Sequence, residues 1–280
     1  MKQRNITPHL LSEFKKMLYE SEKSTATIEK YMRDVRCFAD FTKGRTINKS
    51  LVIEYKTKLG DTYALTSANS MLAAINSFLH FAEWDDCRTR QFKIQKNSFC
   101  DEEKELTRVE YVALVNTAES QGDRRLSLIL QTICSTGIRI SELCNITVEA
   151  VKKSEATVRC KGKSRRIFIV TLLRKKLLCY AKERGIRNGM IFITESGKPI
   201  DRSNVWSEMK KLCKKANVSP QKVFPHNLRH LFARTFYNVE KDIAKLADIL
   251  GHSSINTTRI YTISSGAEHR KKVENMRLIV

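Results

Sequence analysis

The chain has 280 residues, 41% of them hydrophobic, and carries 51 basic against 30 acidic side chains, a formal net charge of +21. No stretch approaches the ~18–20 apolar residues of a membrane span, and the N-terminus lacks the apolar region of a secretory signal, so we expect a cytoplasmic protein with no membrane partner. Most of the excess positive charge follows residue 100 and is interleaved with predicted helices, which favours a structured nucleic-acid surface over a basic tail.

Residues 1–86 predict four helices and no strand. Apolar residues recur there at helical spacing, a pattern that indicates a packed core rather than a ligand site. We expect the third helix to stop at Gly60. The expected helices cover residues 8–21, a stretch that begins after Ser24 or Thr25, residues 49–59, and a stretch that begins after Thr66 or Ser67.

Residues 87–103 interrupt this periodicity. Basic residues alternate with uncharged ones, and the acidic run at 101–105 follows. The composition predicts an interdomain linker, whose basic half either lies near a bound polyanion or is a plain solvated tether.

From residue 104 onward, helices are joined by a small β-structure. Thr107 and Glu110 form a capping box that opens a helix, and a later helix breaks at Gly137, which leaves Arg139 at a turn. Residues 156–160 and 166–170 predict two strands joined by a basic tip at 161–165, and residues 190–193 predict a third, short strand. Further helices are expected at 172–184 and 202–216. The fold class is therefore mainly α with a small β-sheet: a helical N-terminal domain followed by an α+β domain.

The stretch from residue 226 to residue 261 carries the residues with chemical potential. Pro225 predicts the start of a helix on which His226 and Arg229 share one face. Gly251 predicts a C-cap that places His252 at a turn, and Tyr261 follows on a short last helix. Arginine binds phosphate oxygens bidentately, histidine transfers protons near neutral pH, and a tyrosine hydroxyl can form covalent intermediates.

This arrangement resembles the tyrosine recombinase family of phage integrases and Xer proteins. The signature of that family is Arg, Lys, His-x-x-Arg, His and Tyr in this chain order. The upstream arginine corresponds to Arg139, in the sequence Thr-Gly-Ile-Arg-Ile-Ser-Glu-Leu at 136–143. The agreement in order and spacing, rather than any single motif, carries the resemblance.

The resemblance implies a site-specific recombinase that cleaves and rejoins DNA through a 3′-phosphotyrosyl bond to Tyr261. Arg139 and Arg229 would hold the non-bridging phosphate oxygens. His252 would donate a hydrogen bond to one of these oxygens, and His226 would accept the proton of the tyrosine.

The lysine of the signature lies at the hairpin tip. The usual pattern in the family is Gly-Lys-Gly, and here Cys160 replaces the first glycine. Lys161 corresponds best to the lysine that protonates the 5′ leaving oxygen, and Lys163 is the rival.

The resemblance also implies a core-binding domain (1–86), the linker (87–103) and a catalytic domain (104–280). The C-terminal segment 264–280 docks on a neighbouring subunit or packs on its own domain. The expected partners are double-stranded DNA with two target sites and other copies of the chain, assembled as a tetramer on DNA; this assembly is an expectation from the family alone. Glu142 is predicted to pair with a basic neighbour and orient the site.

No cofactor and no metal are expected. None of the eight cysteines forms a Cys-x-x-Cys pair, so a structural zinc site has little support. His226 and His230 have the i, i+4 spacing of a metal pair, but no third ligand is evident. His230 is instead predicted to support its helix from within.

Two alternatives stay open from the sequence. A type IB topoisomerase shares the chemistry but relaxes supercoils without joining two sites, and a DNA-binding regulator would lack chemistry altogether. Whether the protein resolves chromosomes, inverts a segment or acts as the integrase or resolvase of a mobile element is also open.

Overall fold

The computed structural model describes residues 4–94, 102–160, 163–261, 270 and 274–276. The structure is mostly helical with a two-stranded sheet, which confirms the predicted fold class. The chain divides into two compact units, Met1–Lys96 and Asn97–Val280. In the part of the chain that is described, no helix has the length and apolar character needed to cross a bilayer. Lys161 and nearly all of the segment 264–280 lie outside the described residues.

The first unit contains four α-helices whose apolar faces form the core, followed by a short 3-10 helix at Asp85–Cys87. The side chains of Thr7, Ser24 and Asn48 each accept a backbone N–H at the start of one of the first three helices, as N-cap residues do. Phe38 and Phe78 are fully buried between the helices. The helices are Pro8–Glu20 (α1), Thr25–Thr42 (α2), Lys49–Thr62 (α3) and Leu65–Phe81 (α4).

Two predicted helix ends in this unit are wrong. Helix α3 continues past Gly60 to Thr62, because Gly60 serves close packing: a Cβ there would lie 2.9 Å from the ring of Phe92. Helix α4 begins at Leu65 without a side-chain cap, so the expected capping signal at Thr66 or Ser67 is not used.

Residues 87–94, within the predicted linker, are hydrogen-bonded to the first unit. The side chain of Asn76 accepts from the backbone N–H of Thr89 (3.0 Å) and donates to its carbonyl (2.8 Å). Asn69 makes the same pair of contacts with Phe92, at 2.7 and 2.9 Å. Two asparagines of α4 thus hold this segment against the helix.

The second unit contains the remaining helices. The capping box predicted at Thr107 and Glu110 is confirmed. Short 3-10 helices cover Glu102–Lys104, Ile140–Asn145 and Arg259–Tyr261. The α-helices are Arg108–Ser120 (α5), Arg124–Thr136 (α6), Val148–Lys152 (α7), Thr171–Glu183 (α8), Arg202–Ala216 (α9), Pro225–Glu240 (α10), Ile243–Leu250 (α11) and Ile255–Thr258 (α12).

The sheet of the second unit is an antiparallel hairpin of Glu155–Cys160 (β1) and Lys163–Phe168 (β2). Cys160 lies opposite Lys163, so only residues 161 and 162 connect the strands, and the predicted five-residue tip is wrong. Because residues 163–166 are all polar and mostly basic, the sequence did not indicate that β2 begins at residue 163. Arg165 lies opposite the buried Val158, and its side chain is only 10% exposed because it pairs with a buried carboxylate.

The short strand predicted at 190–193 does not form. Met190 and Ile193 make isolated bridges with Thr147 and Pro199, respectively. The apolar character of this segment serves the core instead of the sheet, because Ile191 and Phe192 are buried beside α7.

Candidate active site

Arg229 is the buried centre of the site. Helix α10 begins at Pro225, as predicted, and its first turns present His226 and Arg229. Arg229 is 1% exposed; its Nη1 donates to the carbonyl of Gly137, and its Nη2 donates to the carbonyl of Leu250 at 2.6 Å. Gly137 and Leu250 lie at the C-terminal ends of α6 and α11, where backbone carbonyls have no hydrogen-bond donor within the helix. The guanidinium therefore joins the ends of two helices to α10.

Burial lowers the pKa of Arg229 to about 10, and the positive charge of Arg139 acts in the same direction. An interaction with the hydroxyl of Tyr261 opposes the shift. The guanidinium remains charged at neutral pH and faces the tyrosine.

His252 follows the C-cap Gly251, as predicted, and contacts Arg229. Its Nε2 lies 3.2 Å from Nη2 of Arg229, and its Nδ1 lies 2.9 Å from Oγ1 of Thr258. Burial is the main cause that lowers the pKa of His252 to about 4, and the charges of Arg229 and Arg139 add to it. This imidazole is neutral at physiological pH.

Tyr261 lies at the end of the last 3-10 helix and is 3% exposed. Its ring meets the ring of His230 edge-on, with centroids 4.6 Å apart, and lies nearly parallel to the ring of His252 at 5.9 Å. Leu246 and Leu250 belong to the same apolar cluster. The tyrosine is therefore fixed among two imidazoles, a guanidinium and an apolar wall.

His226 contacts the ring of His230 as well, with ring centroids 4.6 Å apart. Burial lowers the pKa of His226 to about 4, and the charges of His230, Arg229 and Arg139 add to this effect. At neutral pH its imidazole is uncharged and able to accept a proton.

Arg139 lies at the start of the 3-10 helix Ile140–Asn145 and is held by Glu142. The backbone N–H of Arg139 donates to Oε2 of Glu142 at 2.8 Å, and its Nη1 donates to Oε1 at 2.9 Å. The side chain of Arg139 remains 33% exposed. The predicted pairing of Glu142 with a basic neighbour is present.

A second arginine, which the sequence did not single out, binds the same carboxylate. Arg165 donates from Nη1 and Nη2 to the two oxygens of Glu142, at 3.1 and 2.6 Å. Burial opposes ionisation of Glu142, but hydrogen bonds from Arg165 and Arg139 outweigh it, so the pKa of this carboxyl lies below its usual value. No motif signals this pair, because its members lie 23 residues apart.

His230 and Glu105 form a further pair that the sequence did not indicate. Nδ1 of His230 lies 3.6 Å from Oε1 of Glu105, and Arg234 lies 3.4 Å from Oε2. The interaction with His230 is the first cause that lowers the pKa of Glu105. Asn227 anchors the same helix start by donating to the carbonyls of Lys104 (2.8 Å) and Lys222 (2.7 Å). His230 thus connects α10 to Glu105 and also contacts the tyrosine ring.

Five of the six predicted site residues are therefore neighbours in the structure: Arg139, His226, Arg229, His252 and Tyr261. Lys161 lies outside the described residues. Within the described ranges, no group of three or more His, Cys, Asp or Glu side chains could hold a metal ion. Guanidiniums beside a tyrosine hydroxyl and neutral imidazoles form a set that can bind a phosphodiester and attack it.

Comparison with known proteins agrees with this chemistry. Residues 104–268 match the model of the phage integrase family, and residues 11–86 match the phage integrase N-terminal SAM-like domain. Tyrosine recombinase XerA of Pyrococcus horikoshii is 31% identical over 291 residues, which span 100% of this chain and 98% of the relative. Tyrosine recombinase XerD of Halalkalibacterium halodurans is 29% identical, over 85% of this chain and 87% of that protein.

Solved structures share the fold. The crystal structure of XerA recombinase covers 97% of this chain and 99% of its own, at 27% identity and a TM-score of 0.55. A lambda integrase (75–356) dimer bound to a core site has a TM-score of 0.75 at 18% identity, covering 93% and 96% of the two chains. The family match covers more than half of the chain and includes the whole site described above. The chain belongs to the phage integrase family and is an enzyme of the tyrosine recombinase type.

Proposed function

We propose that this chain is a site-specific DNA recombinase that cleaves and rejoins DNA strands through a 3′-phosphotyrosyl intermediate on Tyr261. The observation that carries the proposal is the packing of the Tyr261 ring against the rings of His230 and His252, together with the contact of His252 with the guanidinium of Arg229 at 3.2 Å. A buried tyrosine in a merely structural role needs no such set of cationic and imidazole neighbours.

In the proposed reaction, Arg139 and Arg229 bind the non-bridging oxygens of the scissile phosphate, where negative charge builds up in the transition state. The side chain of Arg139 is partly exposed, whereas that of Arg229 is buried. His226, neutral because of its lowered pKa, accepts the proton of the Tyr261 hydroxyl. His252 donates a hydrogen bond to the phosphate.

Attack by the tyrosine oxygen forms a 3′-phosphotyrosyl bond and releases a 5′-hydroxyl, which takes up a proton. In the proposal Lys161 supplies that proton. A 5′-hydroxyl from a second strand then displaces the tyrosine. The phosphodiester energy is kept in the covalent bond, so neither ATP nor a metal is needed for rejoining.

The proposed partner is double-stranded DNA carrying two target sites, bound by a homotetramer. The net charge of +21 supports a polyanionic partner. Relatives with this fold have been solved on DNA, among them XerH recombinase bound to its difH substrate (TM-score 0.70) and the Tn1549 transposon integrase with transposon end DNA (TM-score 0.71). The full-length likeness to XerA favours a Xer-like role, with integration or resolution of a mobile element as the other biological context.

The proposed division of labour follows the family match. Residues 1–86 form the core-binding domain that contacts the DNA backbone, residues 87–103 link the domains, and residues 104–280 perform the chemistry. The segment 264–280 is proposed to dock on a neighbouring subunit.

The test is covalent trapping. A duplex selected from a random library by binding to the full chain is rebuilt as a nicked suicide substrate. We expect the wild-type protein to give a denaturant-resistant protein–DNA band and Tyr261→Phe to give none, although this variant removes one oxygen and should still bind the duplex. A band that persists in Tyr261→Phe would assign the nucleophile elsewhere.

The same material separates the alternatives. Relaxation of supercoiled DNA that lacks the selected site would indicate a topoisomerase. Tight binding without any covalent band in the wild type would indicate a regulator without chemistry.

A further inference from the structure

Glu142 is shared by two arginines that approach it from different segments of the chain. Arg139 immediately precedes the 3-10 helix that contains Glu142, whereas Arg165 lies in strand β2 of the hairpin. Glu142 and Arg165 are both largely buried, with side chains 7% and 10% exposed, whereas Arg139 is 33% exposed. The buried arginine therefore holds the carboxylate, and the partly exposed one reaches the surface of the site.

Arg165 also touches the segment that carries His252. A Cβ built on Gly251 would lie 2.9 Å from Cδ and from Nη1 of Arg165. The absence of a side chain at Gly251 permits this close approach, and Gly251 also has the left-handed φ of +65° that favours glycine. Arg165 is thus the side chain at which the Arg139 segment, the hairpin and the His252 turn meet.

The charges in this cluster set how Arg139 can act. One buried carboxylate needs about one positive charge for compensation. With Arg165 present, two guanidiniums share Glu142, and one net positive charge remains for a phosphodiester. Without Arg165, Arg139 alone would have to neutralise Glu142, and the pair would carry no net charge.

We propose that Arg165 is a positioning residue for DNA cleavage: it neutralises Glu142 so that Arg139 is free to bind the scissile phosphate. The inference rests on the proposed recombinase function. Arg165 itself does not touch DNA in this proposal and acts through Glu142.

A direct contact between Arg165 and DNA is the alternative that the test has to separate. The Nε atom of Arg165 is buried and has no hydrogen-bond partner among the described residues. A lost direct contact would slow cleavage even when residue 142 carries no charge, whereas a role through Glu142 would not.

The experiment compares cleavage rates at saturating protein on two suicide substrates, one with a normal scissile phosphate and one with a neutral methylphosphonate there. We expect Arg165→Met to cleave the normal substrate ~10- to 100-fold more slowly than wild type, the loss typical when a group that orients a functional residue is removed. On the neutral substrate the difference should shrink to about threefold or less, because little charge remains to be neutralised.

The matched control is Arg166→Met, the next residue of the same strand. Its side chain is 70% exposed and lies 3.7 Å from Glu155. This variant loses the same charge and should cleave at nearly the wild-type rate once the DNA is saturated. A loss as large as that of Arg165→Met would mean that charge, not position, matters, and would overturn the proposal.

The second arm is the variant Glu142→Gln with and without Arg165→Met. A role through Glu142 predicts that the double variant is no slower than Glu142→Gln alone. A slower double variant would indicate direct contact and overturn the proposal. Equal slowing of Arg165→Met on both substrates would show that the loss does not depend on the charge of the scissile phosphate and would likewise overturn it.

A binding measurement tests the proposal without relying on the DNA cleavage step. In the Tyr261→Phe background, the protein should prefer the charged duplex over the methylphosphonate duplex, and Arg165→Met should reduce that preference. An unchanged preference would contradict the role of Arg165, while a wild type that never cleaves would contradict the proposed function alone.

Discussion

Nη2 of Arg229 donates a hydrogen bond to Nε2 of His252 across 3.2 Å, and this contact fixes the protonation of the histidine. A guanidinium has no acceptor, so Nε2 must be the unprotonated nitrogen. Nδ1 then carries the hydrogen and donates to Oγ1 of Thr258, 2.9 Å away. To donate to a phosphate from Nε2, as we propose, His252 has to exchange Arg229 for the phosphate and move its hydrogen to Nε2, with the Thr258 hydroxyl then donating to Nδ1.

The first prediction concerns the pH dependence of stability. The pKa values of His226 and His252 are lowered to about 4, below the ordinary 6.5, chiefly because both rings are buried. Between these values the unfolded chain binds protons that the folded chain does not. Stability due to the neutral rings is therefore complete above about pH 6.5 and is lost as the pH falls toward 4. The thermal unfolding midpoint should fall over this range.

Variants identify the source of this effect. His226→Asn and His252→Asn should each make the fall in midpoint shallower, because a side chain that cannot be protonated replaces the buried imidazole. His9→Asn removes an exposed histidine of α1 and should leave the slope unchanged. Equal slopes in all variants would contradict the assignment to the two site histidines.

The second prediction concerns Gly137, whose carbonyl accepts from Arg229. Its φ is +64°, and a Cβ there would lie 2.5 Å from the ring of Phe232. Gly137→Ala therefore combines left-handed strain with overpacking, and we expect it to lower the free energy of unfolding by roughly 2–4 kcal/mol. The displaced carbonyl should also slow cleavage.

Gly122→Ala is the matched control for Gly137→Ala. Gly122 has a similar φ of +74°, but a Cβ there would have no neighbour within 4 Å. Only backbone strain of about 1–2 kcal/mol is expected, with no effect on cleavage. Urea unfolding measures both variants, and equal losses would show that the contact with Phe232 does not constrain Gly137.

Local signals in the sequence predicted the elements that carry the site. Pro225 marked the start of α10, and Gly251 marked the end of α11. Thr107 and Glu110 form the capping box that the sequence indicated. Each of these signals acts within about four residues, so it can be recognised in the sequence without knowledge of the rest of the fold.

Contacts between distant segments could not be read in this way. Arg165 lay in a predicted turn, because a run of four polar residues lacks the alternation of a half-buried strand. Its burial depends on Glu142, and that of His230 on Glu105, partners that only the folded chain brings near. The same limit applies to Gly60, which resembles a helix terminator in the sequence but lies against Phe92 in the fold.

The third prediction is that cleavage is independent of divalent metal. Arg139 and Arg229 supply fixed positive charge beside Tyr261, the role that a metal ion plays in other phosphoryl-transfer enzymes. Cleavage of the suicide substrate in excess EDTA should proceed at its usual rate. The ionic strength has to be matched, because binding to phosphates weakens as salt increases. Loss of activity in EDTA that magnesium restores would refute this prediction.

The last prediction assigns the general acid to Lys161 rather than Lys163. Lys161 and Gly162 lie outside the described residues, and the structure fixes only the base of the hairpin, where Cys160 pairs with Lys163. A general acid matters only while the leaving group is poor. Replacing the bridging 5′ oxygen by sulfur gives a leaving group of much lower pKa, which departs without a proton.

Lys161→Ala should therefore cleave normal DNA ~10²–10⁴-fold more slowly than wild type, yet cleave the sulfur-substituted strand at nearly the wild-type rate. Lys163→Ala serves as the matched control from the same hairpin. Loss of a phosphate contact should weaken its binding and change its salt dependence, with little effect on the rate at saturation. If sulfur rescues Lys163→Ala and not Lys161→Ala, the general acid is Lys163, and Cys160 marks a two-residue shift of the catalytic lysine along the hairpin.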